Sequence, residues 1–296
     1  MKKATKFQNT LQLRSYAKIN LSLDVLGKTD NGYHQLCMMM QTVSLHDDIQ
    51  VSRTQHPGKI TLSCNSPYVP CNEKNIAYKA ANLIMETYPE ETNGSGVFIH
   101  IEKRIPVAAG LAGGSGNAAA VLHAMNRLFQ LHLSTERLCE LGVTLGADVP
   151  YCLVGGTKLS EGIGEILTPL PSFPNLPIVL VNPGKPLSTK AVFTAITDIP
   201  SLPHPNTPVL LEALKAGDVT KFLANTANSL EAPAISAMPE IADIKETLMK
   251  KGALGAMMSG SGPTVFAIFD DTEKAREAVS YFRKKRYRSF LTSPVL

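Results

Sequence analysis

Residues 106–117 read Pro-Val-Ala-Ala-Gly-Leu-Ala-Gly-Gly-Ser-Gly-Asn, a glycine-rich stretch that follows a predicted strand, Val97 to Glu102. Apolar residues then recur at helical spacing from Ala118 to Phe129 and predict a helix. Because glycine has no Cβ, its backbone N–H groups can approach a ligand closely. The unpaired N–H groups and the dipole at the start of a helix favour anions. The order strand, glycine loop, helix therefore predicts a site for the phosphates of a nucleotide.

Two familiar phosphate-binding patterns can be tested against this loop. The P-loop pattern G-x-x-x-x-G-K-[ST] is absent from the sequence. Residues 114–119, Gly-Ser-Gly-Asn-Ala-Ala, do fit the loose dinucleotide form, which expects an acidic residue about twenty positions later at the end of a second strand. Glu136 follows Ser134 at a predicted helix start instead, so dinucleotide binding is only a minor alternative.

Length and composition indicate a folded protein of two domains or one large domain. The chain has 296 residues, of which 44% are hydrophobic and 18% charged, as in ordinary globular proteins. The net charge is +4, and its clearest cluster, Arg283 to Arg286, is typical of a solvated helix end. Nucleic acid is therefore not expected as a partner.

The cysteines and the apolar runs bear on the compartment. The five cysteines contain no C-x-x-C pair, which favours neither a disulfide framework nor a zinc site. No run of 18 apolar residues exists, and residues 4–12 are too polar for a signal peptide. We expect a cytoplasmic protein with no membrane segment. Monomer or weak dimer is the default oligomeric state.

The remaining patterns predict an α+β chain. Leu11 to Leu26 predicts two strands broken near Ala17, and Leu36 to Val51 predicts further strand. Asn75 is a candidate helix cap. The last 130 residues or so read as strand, helices, a glycine turn, strand, helix and strand. Their predicted elements are Ile178 to Asn182, the turn Ser259 to Gly262, Thr264 to Phe269, Thr272 to Lys285 and a final strand.

Four segments together resemble the GHMP kinase superfamily, and the resemblance spans nearly the whole chain. The segments are Ala17 to Leu21 with Gly32 to His34, Pro106 to Ala119, Gly146 to Pro150 with Glu161 to Glu165, and Ser259 to Gly262. The resemblance implies a two-domain α+β architecture. Residues 1–168 would form an N-terminal domain like domain 2 of ribosomal protein S5, and residues 169–296 a ferredoxin-like C-terminal domain that completes the substrate site.

The Lys-Ile-Asn, Gly-Tyr-His and Gly-Ala-Asp-Val-Pro strings resemble one branch of the superfamily. That branch uses ATP and Mg²⁺ to phosphorylate a hydroxyl group of a small cytidine-diphosphate derivative in the non-mevalonate isoprenoid pathway. Two alternatives stay open. One is a superfamily member that acts on homoserine, mevalonate or a sugar, and the other is a non-catalytic nucleotide sensor with the same fold.

The resemblance implies that Asp148 accepts the hydroxyl proton, while Lys18 orients Asp148 and screens developing negative charge. Phosphoryl transfer needs such positioning and charge stabilisation more than covalent help. A lysine that touches an aspartate lowers its pKa, so Asp148 would act mainly by orientation and take the proton late. Without the resemblance, Asp148 could simply cap a short helix and Lys18 could extend to solvent from a strand.

The resemblance also implies binding residues. Those for ATP are Pro106, Ala108, Ala109, Gly110, Leu111, Ala112, Gly113, Gly114, Ser115, Gly116 and Asn117; those for the second substrate are Asn20, Tyr33, His34, Thr189 and Phe193. Tyr33, His34 and Phe193 would bind the cytosine base, by ring stacking and hydrogen bonds. Ala112 and Gly116 depart from the family pattern, which more often has glycine and serine there. Ser115 is the remaining hydroxyl candidate for Mg²⁺, and no other metal ligand is assigned.

Overall fold

The computed structural model describes residues 9–28 and 34–295, which form two compact units. Unit 1 comprises the chain up to Ser15, His46–Arg104 and Gly114–Val154. Unit 2 comprises Tyr16–Leu45, Ile105–Gly113 and the chain from Gly155 onward. The chain thus passes between the units more than once, and a single domain boundary between residues 168 and 169 stays a prediction.

Strands and helices are mixed in the α+β manner expected. The strands are β1 Thr10–Lys28, β2 His34–Thr54, β3 Ile60–Cys64, β4 Gly96–Glu102, β5 Thr157–Gly162, β6 Ile166–Pro169, β7 Ile178–Asn182, β8 Gly255–Met258, β9 Val265–Ile268 and β10 Arg288–Thr292. The helices are α1 Ile76–Thr87, α2 Pro89–Thr92, α3 Gly113–Leu128, α4 Thr135–Val143, α5 Val149–Val154, α6 Thr189–Thr194, α7 Thr207–Ala216, α8 Val219–Asn225, α9 Glu231–Ala237, α10 Glu240–Lys250 and α11 Thr272–Lys284. Within the described ranges, none of these helices has the length and apolar character needed to cross a membrane.

Unit 1 packs helices on a small sheet. β3 pairs in parallel with β4, and β4 pairs antiparallel with the part of β2 from Asp48 to Thr54. Buried alanines of α1 and α3 share one apolar core with the isoleucines of β4. Small side chains let the helices lie close to the sheet. The predicted cap is confirmed, because Asn75 Oδ1 accepts a hydrogen bond from Ala77 N at 2.9 Å.

Unit 2 contains a four-stranded antiparallel sheet in the order β10-β7-β9-β8. In chain order the four strands are β7, β8, β9 and β10. The first of them therefore lies between the fourth and the third, and the second is at an edge, which is the strand order of a ferredoxin-like domain. The expected C-terminal architecture is therefore confirmed. In the same unit, the first half of β2 pairs with β5, and β5 pairs with β6.

β1 corrects one expectation, since it runs unbroken from Thr10 to Lys28. The predicted break near Ala17 is wrong because residues 17–25 are all buried and do not alternate between core and solvent. Polar residues in this stretch have partners inside the protein instead of water. Lys18, for example, donates from its backbone N to Leu111 O at 3.2 Å.

Candidate functional site

Lys18 and Asn20 lie side by side on β1 in unit 2. Lys18 is 5% exposed, and its Nζ donates to Asn20 Oδ1 at 2.5 Å. Asn20 is fully buried, and its Nδ2 donates to Met38 Sδ at 3.3 Å. Lys18 therefore does not extend to solvent as a strand lysine commonly does. The hydrogen bond to Asn20 uses one Nζ donor, and a lysine side chain has further donors that can bind an anionic ligand.

The glycine loop meets a second glycine turn in the same unit. Gly110 has φ +73°, and a Cβ at this position would lie 2.1 Å from Ser259 O, so only glycine fits. Ser259 Oγ donates to Gly110 O at 3.0 Å and accepts from Asn20 N at 3.3 Å. Ser259 thus joins the loop to β1. The sequence had identified the turn Ser259 to Gly262 only as a family motif, without assigning site residues to it.

The start of α3 falls inside the predicted loop. The helix begins at Gly113, so residues 113–116 form its first turn and supply the unpaired N–H groups of a helix start. Ala108 and Ala112, which precede it, have φ values of 50° and 53°. This left-handed region costs a residue with a Cβ about 1–2 kcal/mol, which explains why glycine suits position 112. The geometry fits a phosphate cradle.

Four of the predicted ATP-binding residues have side chains that point elsewhere. Pro106, Ala109 and Leu111 are buried, and the last two belong to the apolar core of unit 2, so they can offer a ligand only their backbone. Asn117 is 3% exposed, and its Nδ2 donates to Ser15 Oγ at 3.0 Å and Asp47 Oδ2 at 2.9 Å. The Asn117 side chain therefore stabilises unit 1.

Asp47, the partner of Asn117, is the centre of a buried charge cluster that no sequence motif indicated. It is fully buried, and its two oxygens also accept from Lys103 Nζ and Arg104 N, both at 2.7 Å. Lys103 is itself 7% exposed in its side chain. A buried carboxylate with a cation and two further donors is well compensated.

Asp148 lies in unit 1 immediately before α5. Its backbone oxygen accepts from Cys152 N at 3.0 Å, and the residue is partly buried. Within unit 1, its carboxylate accepts no hydrogen bond and forms no ion pair with the residues that the structure describes. Asp148 therefore does not cap α5 through its side chain. Its carboxylate oxygens are free to bind a ligand.

His34 and Phe193 form a ring pair in unit 2. Their ring centroids are 4.8 Å apart and the planes are tilted by 35°. His34 Nε2 is buried and has no hydrogen-bond partner in the part of the chain that is described. Burial, with a smaller contribution from Lys28, lowers the pKa of His34, so the ring is neutral at pH 7. Tyr33, the third predicted base contact, lies outside the described residues.

Thr189 connects the predicted substrate residues to the second glycine turn. It begins α6, and its Oγ1 is 2.7 Å from Ser261 Oγ. Phe193 belongs to the same short helix, one turn later, and is partly buried. Unit 2 therefore brings Thr189 against the turn Ser259 to Gly262, whose first serine contacts Asn20 and Gly110.

No protein site for a metal ion emerges from the described ranges. Among residues 9–28 and 34–295, no group of three or more His, Cys, Asp or Glu side chains is placed to hold a metal ion. Ser115 is partly buried in the first turn of α3. Its hydroxyl group has the oxygen chemistry that Mg²⁺ prefers, so it fits the role of a single protein ligand.

Comparison with known families gives two matches. The GHMP kinases N terminal domain matches residues 75–156, and the GHMP kinases C terminal domain matches residues 210–288. A curated relative, 4-diphosphocytidyl-2-C-methyl-D-erythritol kinase of Lachnoclostridium phytofermentans, is 48% identical over 284 residues. That match covers 95% of this chain and 96% of the relative.

Two solved structures place the fold. A crystal structure of 4-(cytidine 5'-diphospho)-2C-methyl-D-erythritol kinase is 34% identical with a TM-score of 0.79, covering 96% of this chain and 99% of the other. Homoserine kinase from Cytophaga hutchinsonii is 19% identical with a TM-score of 0.76, covering 99% of this chain and 96% of the other. At that lower identity the likeness to homoserine kinase concerns the fold alone.

Proposed function

The chain belongs to the GHMP kinase superfamily and, within it, to the 4-diphosphocytidyl-2-C-methyl-D-erythritol kinases, and from this membership we propose its reaction and the roles of its residues. It transfers the terminal phosphoryl group of ATP to the 2-hydroxyl of 4-diphosphocytidyl-2-C-methyl-D-erythritol. The products are ADP and the 2-phosphate, an intermediate of the non-mevalonate isoprenoid pathway.

The observation that carries this proposal is the extent of the similarity. Identity of 48% extends over 95% of the chain, so it includes both the nucleotide loop and the segments that would bind the acceptor. The likeness to homoserine kinase is equally long but has only 19% identity. A shared fold accounts for the second match, whereas the first is well above the identity that a shared fold alone explains.

Unit 2 supplies the residues that we assign to the acceptor. The neutral ring of His34, with its unpartnered Nε2, offers a hydrogen bond to the edge of cytosine, and Phe193 offers a ring face for stacking. Tyr33 is assigned to the same base. Asn20 and Thr189 are assigned to the diphosphate or erythritol portion, because both have polar side chains beside the turn Ser259 to Gly262.

The catalytic roles go to Asp148 and Lys18. The free carboxylate of Asp148 orients the acceptor hydroxyl and takes its proton late in the transfer. The buried ammonium group of Lys18 stabilises the negative charge on the transferring phosphoryl group. Both groups keep these capacities because neither is neutralised within its own unit by an opposite charge among the described residues.

ATP is assigned to residues 106–117 and the first turn of α3. The backbone N–H groups there bind its phosphates, while the side chains of Pro106, Ala109, Leu111 and Asn117 hold the loop in place. Mg²⁺ neutralises phosphate charge when it is bound. Its ligands are proposed to be phosphate oxygens and water, with the Ser115 hydroxyl as the candidate from the protein.

We also propose that the protein is cytoplasmic and is a monomer or weak dimer. Its partners are small molecules, without nucleic acid or a membrane. Size-exclusion chromatography with light scattering at micromolar concentration tests the oligomeric state, and a stable tetramer would contradict it.

The proposed reaction is tested by measuring ADP formation with Mg²⁺ and ATP in the presence of four acceptors in separate assays. The acceptors are 4-diphosphocytidyl-2-C-methyl-D-erythritol, homoserine, mevalonate and galactose. We expect turnover with the cytidyl compound alone. Phosphorus NMR of the product then locates the new phosphate on the 2-hydroxyl.

Each other outcome has a definite meaning. Turnover with another acceptor would keep the superfamily and remove the roles of His34 and Phe193 as base contacts. No turnover with any acceptor, together with tight ATP binding, would favour the nucleotide sensor.

A further inference from the structure

Asn228 is a buried residue of unit 2 to which the roles above assign nothing. It is 1% exposed, and its Nδ2 donates to the carbonyl oxygens of Met258 and Gly260, both at 2.8 Å. Its Oδ1 accepts from Leu230 N at 2.9 Å. Both hydrogens of the amide nitrogen are thus used on the two carbonyl groups that flank Ser259.

The backbone around Asn228 is fixed to β1. Leu23 N donates to Ala227 O at 3.0 Å, and Ser229 N donates to Leu23 O at 2.9 Å, so Asn228 forms a bridge with Leu23. β1 is also the strand that carries Lys18 and Asn20. The backbone of Asn228 is therefore fixed to the same strand that contains Lys18 and Asn20, the residues beside which the turn lies.

The turn that Asn228 holds, Ser259 to Gly262, borders the Lys18 ammonium group. A Cβ built on Gly260 would lie 3.3 Å from Lys18 Nζ and 3.4 Å from Asn20 Oδ1. Gly260 and Gly262 have φ values of 57° and 82°. Glycines in this region have little conformational preference of their own, so the turn needs outside contacts to keep one conformation.

We propose that Asn228 is a positioning residue for phosphoryl transfer, an inference that rests on the proposed function. Its amide fixes the carbonyl groups of Met258 and Gly260. The turn is thereby held against Gly110 through Ser259 and against Lys18 through Gly260. Because this reaction is catalysed chiefly by positioning and charge, a shift of the turn by about 1 Å is expected to lower the rate much more than the affinity for either substrate.

Asparagine is the residue type that this position requires. Two donors on one atom are needed for two converging carbonyl groups, and an acceptor is needed for Leu230 N. Aspartate would place an anion against two carbonyl oxygens. Alanine would leave both carbonyl groups without this donor, and serine keeps one donor at most.

The test begins with Asn228→Ser, which is milder than Asn228→Ala and more certain to fold. We expect kcat to fall by about 10- to 100-fold, with KM for ATP and for the cytidyl substrate changed by less than about threefold. The matched control is Asn126→Ser in unit 1. Asn126 also exchanges two hydrogen bonds with a backbone, those of Leu133 at 3.0 Å, but has no assigned role. It should lower thermal stability while kcat stays within about twofold.

A double-mutant cycle with Ser259→Ala separates positioning from general damage. If Asn228 acts through the turn, the double variant should be no more than about threefold slower than the slower single variant. Rate losses that simply multiply would overturn the proposal. An unchanged kcat in Asn228→Ser would overturn it as well.

Failure of the proposed function can be told apart from failure of this inference. Wild-type turnover of the cytidyl substrate is measured first, and its absence would count against the function alone. Amide hydrogen exchange then tests Asn228 without activity, at Ser259 N and Gly262 N, which donate to Thr264 O at 2.8 Å and Ser259 O at 2.9 Å. We expect the amides of Ser259 and Gly262 to exchange about tenfold faster in Asn228→Ser than in wild type. In Asn126→Ser their exchange rates should be unchanged. Equal protection in wild type and Asn228→Ser would reject the positioning role.

Discussion

Asp47 and Asp148 are two aspartates of unit 1 with opposite surroundings. Asp47 is fully buried and accepts from Lys103, Arg104 and Asn117. Asp148 is partly buried and its carboxylate accepts from no described residue of that unit. A carboxylate whose oxygens are all occupied stabilises the fold, whereas one with free oxygens is available to a substrate. Hydrogen-bond occupancy therefore distinguishes Asp47 from Asp148, the acid to which we assign a catalytic role.

Two histidines of unit 2 show the same contrast. His204 Nδ1 is 2.6 Å from Asp24 Oδ1, and its Nε2 is 3.0 Å from Ile199 O. Both partners are acceptors, so the imidazolium form, which donates from both nitrogens, fits best. His34 instead has a buried Nε2 without a partner in the described chain. Both nitrogens of the His204 ring are paired, whereas the His34 ring, which we assign to the base, has one buried nitrogen without a described partner.

Asp148→Asn should have the largest effect on rate. We expect kcat to fall by about 10²- to 10⁴-fold while the melting temperature changes little, because the carboxylate accepts no hydrogen bond from the residues of unit 1 that the structure describes. Asp48→Asn is the control for charge removal, since Asp48 is 45% exposed in its side chain. Steady-state kinetics and calorimetry provide the two readouts. Turnover within tenfold of wild type would remove Asp148 from its proposed role.

Asp47→Ala should reverse that pattern, with a large loss of stability. Removing one partner of a buried ion pair is expected to lower the free energy of unfolding by about 3–5 kcal/mol, because Lys103 would remain buried without its anion. The neighbouring pair, Asp48 with Arg104 at 2.6 Å, is exposed, so Asp48→Ala should cost no more than about 1 kcal/mol. Urea denaturation measures both. Equal losses in the two variants would break the contrast.

Phe193→Leu tests the ring pair at a smaller scale. Leucine keeps an apolar side chain but has no aromatic face, so KM for the cytidyl substrate should rise by about 3- to 10-fold. Phe193→Tyr keeps the ring and should stay within about twofold of wild type. KM for ATP should not change in either variant. A rise confined to ATP would contradict a role in binding the base.

The two histidines should titrate on opposite sides of the ordinary value. The hydrogen bond to Asp24 raises the pKa of His204, whereas burial and then Lys28 lower the pKa of His34. Proton NMR of the ring signals over pH 5 to 9 measures both, with His34→Gln and His204→Gln as assignment controls. Titration of both rings at the same pH would remove the contrast in unit 2.

The same shifts fix how stability depends on pH. The folded pKa of His204 is above its unfolded value. Its contribution to the free energy of unfolding is therefore present below about pH 6.5 and is lost as pH rises through the folded pKa. The folded pKa of His34 is below its unfolded value. Its contribution to the free energy of unfolding is therefore present above about pH 6.5 and is lost as pH falls through the folded pKa. Comparing wild type with His204→Gln from pH 5.5 to 8.5 should show a stability difference that narrows as pH rises. A difference that widens would contradict this sign.

Local signals in the sequence predicted most of the secondary structure. Asn75 caps α1, Ser134 caps α4, and the strand Ile178 to Asn182 has the predicted bounds, because each depends on neighbours a few residues away. The predicted break in β1 was wrong because the continuity of this strand depends on distant residues and not on its neighbours in the sequence. Lys18 and Asn20 lie buried within a strand because distant residues, Leu111 and Ser259, accept their backbone hydrogen bonds.

The candidate site was predicted only where a motif marks it. Lys18, Asp148 and the glycine loop belong to strings that resemble a family, and their catalytic and binding roles stay predictions. Asn117 was assigned to ATP as part of the glycine loop that resembles the family, and its side chain donates to Ser15 and Asp47. Asn228 belongs to no such string. A buried amide and an exposed one have the same letter in the sequence, and burial decides which of them holds a turn.

The sequence by itself determined the α+β class, the superfamily, the glycine loop before a helix and the residue types available for phosphoryl transfer. These follow from periodicity, capping residues and short motifs. The tertiary structure alone decided which polar groups are paired and which are free. Asn20 N and Ser259 Oγ, for example, are 239 residues apart in the chain and 3.3 Å apart in unit 2. Such pairs form because packing of the core brings distant segments together, and local preferences contain no information about which partner arrives.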